Sequence, residues 1–264
     1  MTAAQKLYIG TNLKMYKNIG QTTGYLKSLA AVTRDIAEAE LCLFVIPSFT
    51  SLYPAALAVN SSPIMLGAQN MFWEDRGQFT GEISPPMLKE IGVTIVEIGH
   101  SERRQHFGEN DFTVNKKVLA GLGHGLVSLV CVGETGPEKQ LNIAVERLRQ
   151  QLKIALNGVR EEQTARVWIA YEPVWAIGEQ GVPATADYAG YIHLELRKVL
   201  CEMFPAGGQA IPLLYGGSVN ERNAEALISQ PQIDGLFIGR AAWDAANFNH
   251  IIRQVIPLWK AKKN

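Results

Sequence analysis

Apolar runs of strand length recur along the chain at Leu7 to Gly10, Leu41 to Ile46, Ile64 to Gly67, Val93 to Ile98, Leu126 to Val132, Val167 to Ala170, Ile211 to Leu214 and Leu236 to Gly239. Between them the apolar residues switch to helical spacing, as in Ile143, Val145, Leu148, Leu152, Ile154, Ala155 and in Tyr188, Ile192, Leu194, Leu196, Val199, Leu200. A strand covered on both faces needs apolar side chains at successive positions, whereas a helix lying on a sheet needs only one stripe. The alternation therefore predicts a parallel sheet sheathed by helices. Eight such units favour closure into a (β/α)8 barrel over an open sheet, so the expected fold is α/β with a single domain over residues 1–264. Polar caps at Ser84, before Pro85, and at Thr185, before Asp187, mark helix starts, while Gly92 and Gly121 to Gly125 mark helix ends.

Composition narrows the class. At 264 residues and 29.0 kDa the length suits one α/β barrel with a large core. Lys and Arg number 25 and Asp and Glu 25, and no basic run is longer than the terminal Lys260, Lys262 and Lys263, so there is no nucleic-acid or membrane-surface footprint. No apolar stretch approaches a membrane span, and Met1 to Lys6 hold no signal-peptide core; the expectation is a cytoplasmic protein. Cys42, Cys131 and Cys201 are odd in number, widely spaced and set in apolar runs, which reads as buried thiols rather than disulfides or a metal cluster. The five histidines show no ligand spacing, so no metal is expected. Gly121-Leu122-Gly123-His124-Gly125 ends a helix and precedes a strand, the reverse of a dinucleotide fingerprint, and is read as a helix cap.

In a barrel of this kind chemistry sits at the C-terminal strand ends. Tyr171-Glu172-Pro173-Val174-Trp175-Ala176-Ile177-Gly178 follows the run Val167 to Ala170 without a break. Pro173 has no N–H to donate, so it stops the ladder and leaves Glu172 at the strand tip. The apolar residues beyond it, continuing through Glu179-Gln180-Gly181-Val182-Pro183, read as a lid that buries itself against something. A carboxylate beside a water-excluding lid is a candidate general base. Strand one ends Gly10-Thr11-Asn12-Leu13-Lys14-Met15, where a period of two puts Asn12 and Lys14 on one face and Leu13 toward the helices. Strand four ends Ile98 to Arg104 and places His100 at a helix start, where the positive end of the dipole favours a neutral ring able to donate to a substrate oxygen. The plainer reading is a His that caps the helix. Its His-x-Glu spacing is half of a zinc deaminase signature whose Pro-Cys-x-x-Cys half is missing. Tyr215-Gly216-Gly217-Ser218-Val219 and Ile238-Gly239-Arg240-Ala241 close strands seven and eight with small residues that let N–H groups approach an anion. Together with Gly178 they point to phosphate.

Asn12-x-Lys14, Ile98 to Arg104, Tyr171 to Gly178, Tyr215 to Val219 and Asp234-Gly235 with Gly239, in this order and spacing, resemble the triosephosphate isomerase family across almost the whole chain. The resemblance implies a TIM barrel and an aldose/ketose phosphate isomerase that needs no metal or organic cofactor and links dihydroxyacetone phosphate to glyceraldehyde 3-phosphate through an enediolate. It also implies the family's own known scheme, a Glu base and a neutral His at a helix N-terminus under a closing loop. On that scheme Glu172 moves the carbon-bound proton, His100 polarises the carbonyl and shuttles protons between the enediolate oxygens, and Lys14 supplies positive charge. Asn12 holds a substrate oxygen, Glu102 and Tyr215 are supporting residues, and backbone N–H groups of Gly178, Ser218, Gly239 and Arg240 bind the phosphate. Met71 to Phe79 is similar to the family's interdigitating loop, which implies a homodimer, and the implied pathway is glycolysis and gluconeogenesis. These residue types also suit the chemistry. A carboxylate base contributes about 10² to 10⁴ in rate. The enediolate therefore needs donors worth roughly 3 to 4 kcal/mol each, a task for His100 and Lys14.

The chain also departs from the family it resembles. Leu13 stands where the family has Trp, Tyr16 follows the Lys-Met pair in place of Asn, and Glu179-Gln180-Gly181 replaces the usual Thr-Gly-Lys hinge. Pro183, which has no N–H, is read at the position whose N–H in the family meets the strand-seven Tyr, here Tyr215, so this latch is expected to be changed or lost, and Arg240 replaces the second glycine of the strand-eight pair. These changes spare the proton-transfer residues and alter the lid and the phosphate end. They fit a triosephosphate isomerase or an isomerase of a related ketose phosphate such as a tetrulose (erythrulose) phosphate. A Schiff-base aldolase using Lys14 and a non-catalytic sugar-phosphate binding protein are the readings from other classes.

Overall fold

The computed structural model describes residues 6–178 and 181–263, so two residues of the altered lid segment, Glu179 and Gln180, lie outside the described residues. Strands β1 (Leu7–Asn12), β2 (Leu41–Ile46), β3 (Met65–Ala68), β4 (Ile95–Ile98), β5 (Val127–Val132), β6 (Val167–Tyr171), β7 (Leu213–Tyr215) and β8 (Gly235–Phe237) pair in parallel in chain order. β8 pairs with β1, with Ile9 opposite Leu236, and the barrel closes. The fold is the TIM barrel expected from the eight apolar runs.

Alternation along each strand sorts side chains into two cores. Val96 and Ile98 of β4 pack outward against the helices, as do Val167, Ile169 and Tyr171 of β6. Tyr8, Phe44, Trp168, Leu214 and Phe237 fill the interior, with ring centroids 4.9 Å apart for Tyr8–Trp168, 5.7 Å for Phe44–Trp168 and 5.6 Å for Phe44–Phe237. Burying an aromatic ring removes roughly 150–250 Å² from water, about 4 to 6 kcal/mol before entropy is subtracted. Gly10 makes room for this plug, since a Cβ there would stand 2.2 Å from the Phe44 ring. The interior is thus a packed floor, and the open space lies above it at the C-terminal ends.

The helix signals hold. Ser84 and Thr185 accept hydrogen bonds from Met87 and Tyr188 N–H as N-caps of Pro85–Glu90 and Ala186–Met203. The glycine-rich piece ends the helix Asp111–Gly123, and Gly125 takes a left-handed φ of 70° before β5. Cys131 is buried, whereas Cys42 and Cys201 are only half-buried; all three are free thiols.

Candidate active site

The C-terminal ends of the strands surround one cleft of about 900 Å³, lined by Asn12, Lys14, His100, Glu102, Glu172, Gly178, Gly216, Ser218, Gly239 and Arg240 among others. Glu172 follows β6 as its next inward position, and its N–H donates to Val132 O at 2.8 Å. It is 3% exposed, and a Cβ at Gly216 would come within 2.7 Å of its Cγ. Burial pushes the Glu172 carboxyl above its ordinary range, opposed by the charge of Lys14, which makes it a better base than a surface carboxylate.

His100 is the N-cap of Ser101–His106, and its Nδ1 accepts from Glu102 N–H at 3.1 Å. With Nδ1 occupied as an acceptor, the proton of the neutral ring belongs on Nε2, which lies 3.6 Å from Glu172 Oε2 and faces the cleft. The capping and the polarising readings of this residue are therefore one arrangement.

Lys14 departs from the expected geometry. β1 ends at Asn12, and Lys14 reaches the cleft through a left-handed turn, φ 51°, rather than by strand alternation. A non-glycine residue held there is strained and persists only where its surroundings impose it. Asn12 Oδ1 accepts from Lys14 N–H at 2.6 Å, and Gln69 Nε2 donates to Asn12 Oδ1 at 3.0 Å and to Lys14 O at 2.8 Å. Lys14 Nζ is paired with Glu102 Oε1 at 2.5 Å, and this bond and charge outweigh burial to hold the Glu102 carboxyl below its usual range. Leu13 is buried in the outer core, as its strand position required.

At the other end of the cleft Gly178 has φ 87°, Ser218 O accepts from Asn223 Nδ2 at 2.8 Å, and Arg240 is exposed. The expected helix dipole is smaller than the sequence suggested, because a single 3-10 turn, Arg240–Ala242, comes directly after β8, ahead of the helix Ala245–Lys263, and no helix begins after Ser218 until Ala224. The paired glycines also do something other than line an anion site: Gly216 leaves room for Glu172, and Gly217 for the Tyr215 hydroxyl, which a Cβ would approach to 2.3 Å. Burial raises the Tyr215 hydroxyl, and the backbone N–H that comes up to it, short of a well-formed hydrogen bond, is that of Ala184. The position facing Tyr215 is therefore that of Ala184, one residue beyond Pro183, and its N–H is available although it makes no hydrogen bond to Tyr215 here. Under the lid, Glu134 Oε1 accepts from Tyr171 Oη at 3.0 Å, Trp175 Nε1 at 2.8 Å and Tyr188 Oη at 2.9 Å.

Among the described residues, Glu97, Cys131 and Glu172 bring potential metal-ligand atoms within 4.8 Å of one another. Burial holds the Cys131 thiol and the Glu97 carboxyl well toward their protonated forms, which opposes metal binding there.

The triosephosphate isomerase family model matches residues 7–255. The chain belongs to the triosephosphate isomerase family. It is similar to the crystal structure of triosephosphate isomerase from Bartonella henselae, with a TM-score of 0.84 and 36% identity over 94% of this chain and 98% of that one. It is 46% identical over 250 residues to the L-erythrulose-1-phosphate isomerase of Rhizobium etli, covering 94% of this chain and 92% of the relative. The protein of that name from Mycolicibacterium smegmatis is 45% identical over 261 residues, covering 98% and 97%. The chain is thus an isomerase of sugar phosphates.

The residues picked from the sequence, Asn12, Lys14, His100, Glu102, Glu172, Gly178, Ser218, Gly239 and Arg240, all line one cleft, and Tyr215 lies behind Gly217 at its edge. Gln69 and Glu97 were missed. Glu97 had a visible signal, a lone acid at an inward position of the apolar run Val93 to Ile98. Gln69 had none, because its contacts to Asn12 and Lys14 cross 57 and 55 residues.

Proposed function

We propose that the chain isomerises a tetrulose phosphate, L-erythrulose 1-phosphate, rather than a triose phosphate. The observation that carries this reading is the name shared by the relatives at 45–46% identity over nearly their full length. Glu172 acts as the base, neutral His100 donates from Nε2 to the carbonyl oxygen, and Lys14 stabilises the enediolate. Asn12 orients Lys14 and keeps one amide hydrogen for the substrate, while Glu102 and Tyr215 hold Lys14 and the lid. The N–H groups of Gly178, Ser218, Gly239 and Arg240 take the phosphate, and the Arg240 cation adds to them. The C1 oxygen of this substrate is esterified, so C1 cannot become an aldehyde. The carbonyl instead moves from C2 to C3 and yields erythrulose 4-phosphate. Relative to dihydroxyacetone phosphate the carbon that loses its proton carries one more CH2OH, and the product, a tetrulose phosphate, falls outside glycolysis and gluconeogenesis, the pathway expected from sequence. The Schiff-base alternative is disfavoured by the Lys14 ammonium, which is engaged by Glu102.

The protein works as a cytoplasmic homodimer through residues 71–79. Phe72 stacks on Trp73 at 4.0 Å and lies tilted against Phe79 at 4.4 Å, Phe79 stays 43% exposed, and Met15 beside Lys14 is 96% exposed. No described helix is long and apolar enough to cross a membrane. Coupled assays on glyceraldehyde 3-phosphate and both erythrulose phosphates test the substrate: the tetrulose phosphates are expected to give the higher kcat/KM, and faster triose turnover overturns the assignment. Glu172→Gln is expected to abolish turnover, and retained activity refutes the proton-transfer scheme.

A further inference from the structure

Beneath the cleft lies a carboxylate that the mechanism above does not use. Glu97 points inward from β4 next to Ile95, is 0% exposed, and accepts from Asn12 Nδ2 through Oε2 at 2.6 Å. Its Oε1 lies 3.7 Å from Cys131 Sγ. Asn12 in turn accepts from the Lys14 N–H, so an amide anchored on Glu97 holds the strained turn that presents Lys14. The groups facing Glu97 are Lys14 from the end of β1, Cys131 from β5, Glu172 from the end of β6, and Glu102 and His100 from the end of its own strand. Lys14 is the single cation among them and is already bound to Glu102. An ionised Glu97 would stand within 4.8 Å of Glu172 and leave two neighbouring anions in a site that must take up a phosphate dianion and build negative charge on an enediolate.

We propose that Glu97, protonated beneath the cleft, is a positioning residue that fixes the Asn12 amide and the Lys14 turn without adding an anion beside Glu172. Oε2 accepts from the Asn12 amide, which leaves Oε1, the oxygen beside the Cys131 thiol, to carry the acid proton. Burial first, and the charge of Glu172 second, favour this protonated form. The inference rests on the isomerase reading of the site.

The acidic limb of the kcat/KM against pH profile tests it. Glu97→Gln keeps a neutral acceptor, so the limb is expected to stay where it is. Had Glu97 been ionised, losing its charge at this range would lower the limb by about two pH units. Glu97→Leu removes the acceptor and is expected to lower kcat at least about tenfold, with Glu97→Gln rescuing most of the loss. A second readout does not depend on turnover: the infrared C=O band of a protonated acid at pH 8, expected in the wild type and in Glu172→Gln and missing from Glu97→Gln. A limb lowered in Glu97→Gln, a wild-type kcat in Glu97→Leu, or no such band overturns the proposal. Absence of isomerase activity on every substrate would instead overturn the functional reading, and the band would still decide the protonation of Glu97.

Discussion

Replacing Glu134 should loosen the lid and the helix behind it together. Glu134 is 0% exposed and concentrates three donors on one oxygen: Tyr171 from the end of β6, Trp175 from the lid and Tyr188 from Ala186–Met203. Stranding a buried donor costs about 1 to 3 kcal/mol. Tyr171 is fully buried and bears that cost in full, whereas Trp175 and Tyr188 are half-buried and recover part of it from water. Glu134→Leu should therefore destabilise by about 4 kcal/mol. Glu134→Gln keeps an acceptor and loses only its charge, which points to about 1 to 2 kcal/mol. Urea unfolding followed by tryptophan fluorescence, at one fixed protein concentration because subunit association would contribute, measures both. The kcat/KM should fall further in Glu134→Leu than in Glu134→Gln, since Trp175 loses its anchor. A Glu134→Leu cost under about 1 kcal/mol, or equal costs for the two variants, would refute the hub as the link between lid and barrel.

Gly216→Ala places a methyl 2.7 Å from Glu172 Cγ and 3.1 Å from Oε1, so the carboxylate must move. Displacing a catalytic group by about 1 Å costs about 10²-fold, so kcat should drop by that order with thermal stability little changed, and steady-state kinetics beside a melting curve check it. His193 is buried with its Nδ1 on Ala189 O, and burial lowers its pKa to about 4. A folded-state value below the unfolded one means that the unfolded chain takes the proton first as pH falls. Above about pH 6.5 the residue contributes no pH dependence, and between about 6.5 and 4 it removes stability, reaching about 2 to 3 kcal/mol near pH 4.5. Urea unfolding at pH 7 and 4.5 should show a smaller loss in His193→Gln than in wild type, and equal losses would contradict the buried neutral imidazole.

The barrel and the cluster of polar residues at its strand ends were legible because each rests on local constraints. Strands buried on both faces leave apolar runs, Pro173 ends a ladder wherever it occurs, and a His at a helix start shows in its neighbours. What was not legible depends on side chains meeting across the barrel. Lys14 looked like a strand residue because alternation was extended past Asn12, whereas Asn12 and Gln69 bend the chain into a left-handed turn there. Gly216-Gly217 looked like an anion cradle because glycine pairs serve many purposes, and only the packed structure reveals that Glu172 and Tyr215 occupy the missing side-chain space.

The latch shows the same limit most sharply. Counting along the lid put Pro183, a residue with no N–H, opposite Tyr215, and this predicted a lost contact; the fold brings up Ala184, whose N–H is intact. A hinge altered at Glu179-Gln180-Gly181 thus leaves both ends of the lid with familiar jobs: Trp175 tied to Glu134 at the start, Ala184 facing Tyr215 at the finish. Sequence divergence confined to the middle of this segment leaves Trp175 and Ala184 in their places at its two ends. That middle is where a change of substrate without a change of chemistry would be expected to fall, and the intact Glu172, His100 and Lys14 beneath it are what such a change requires.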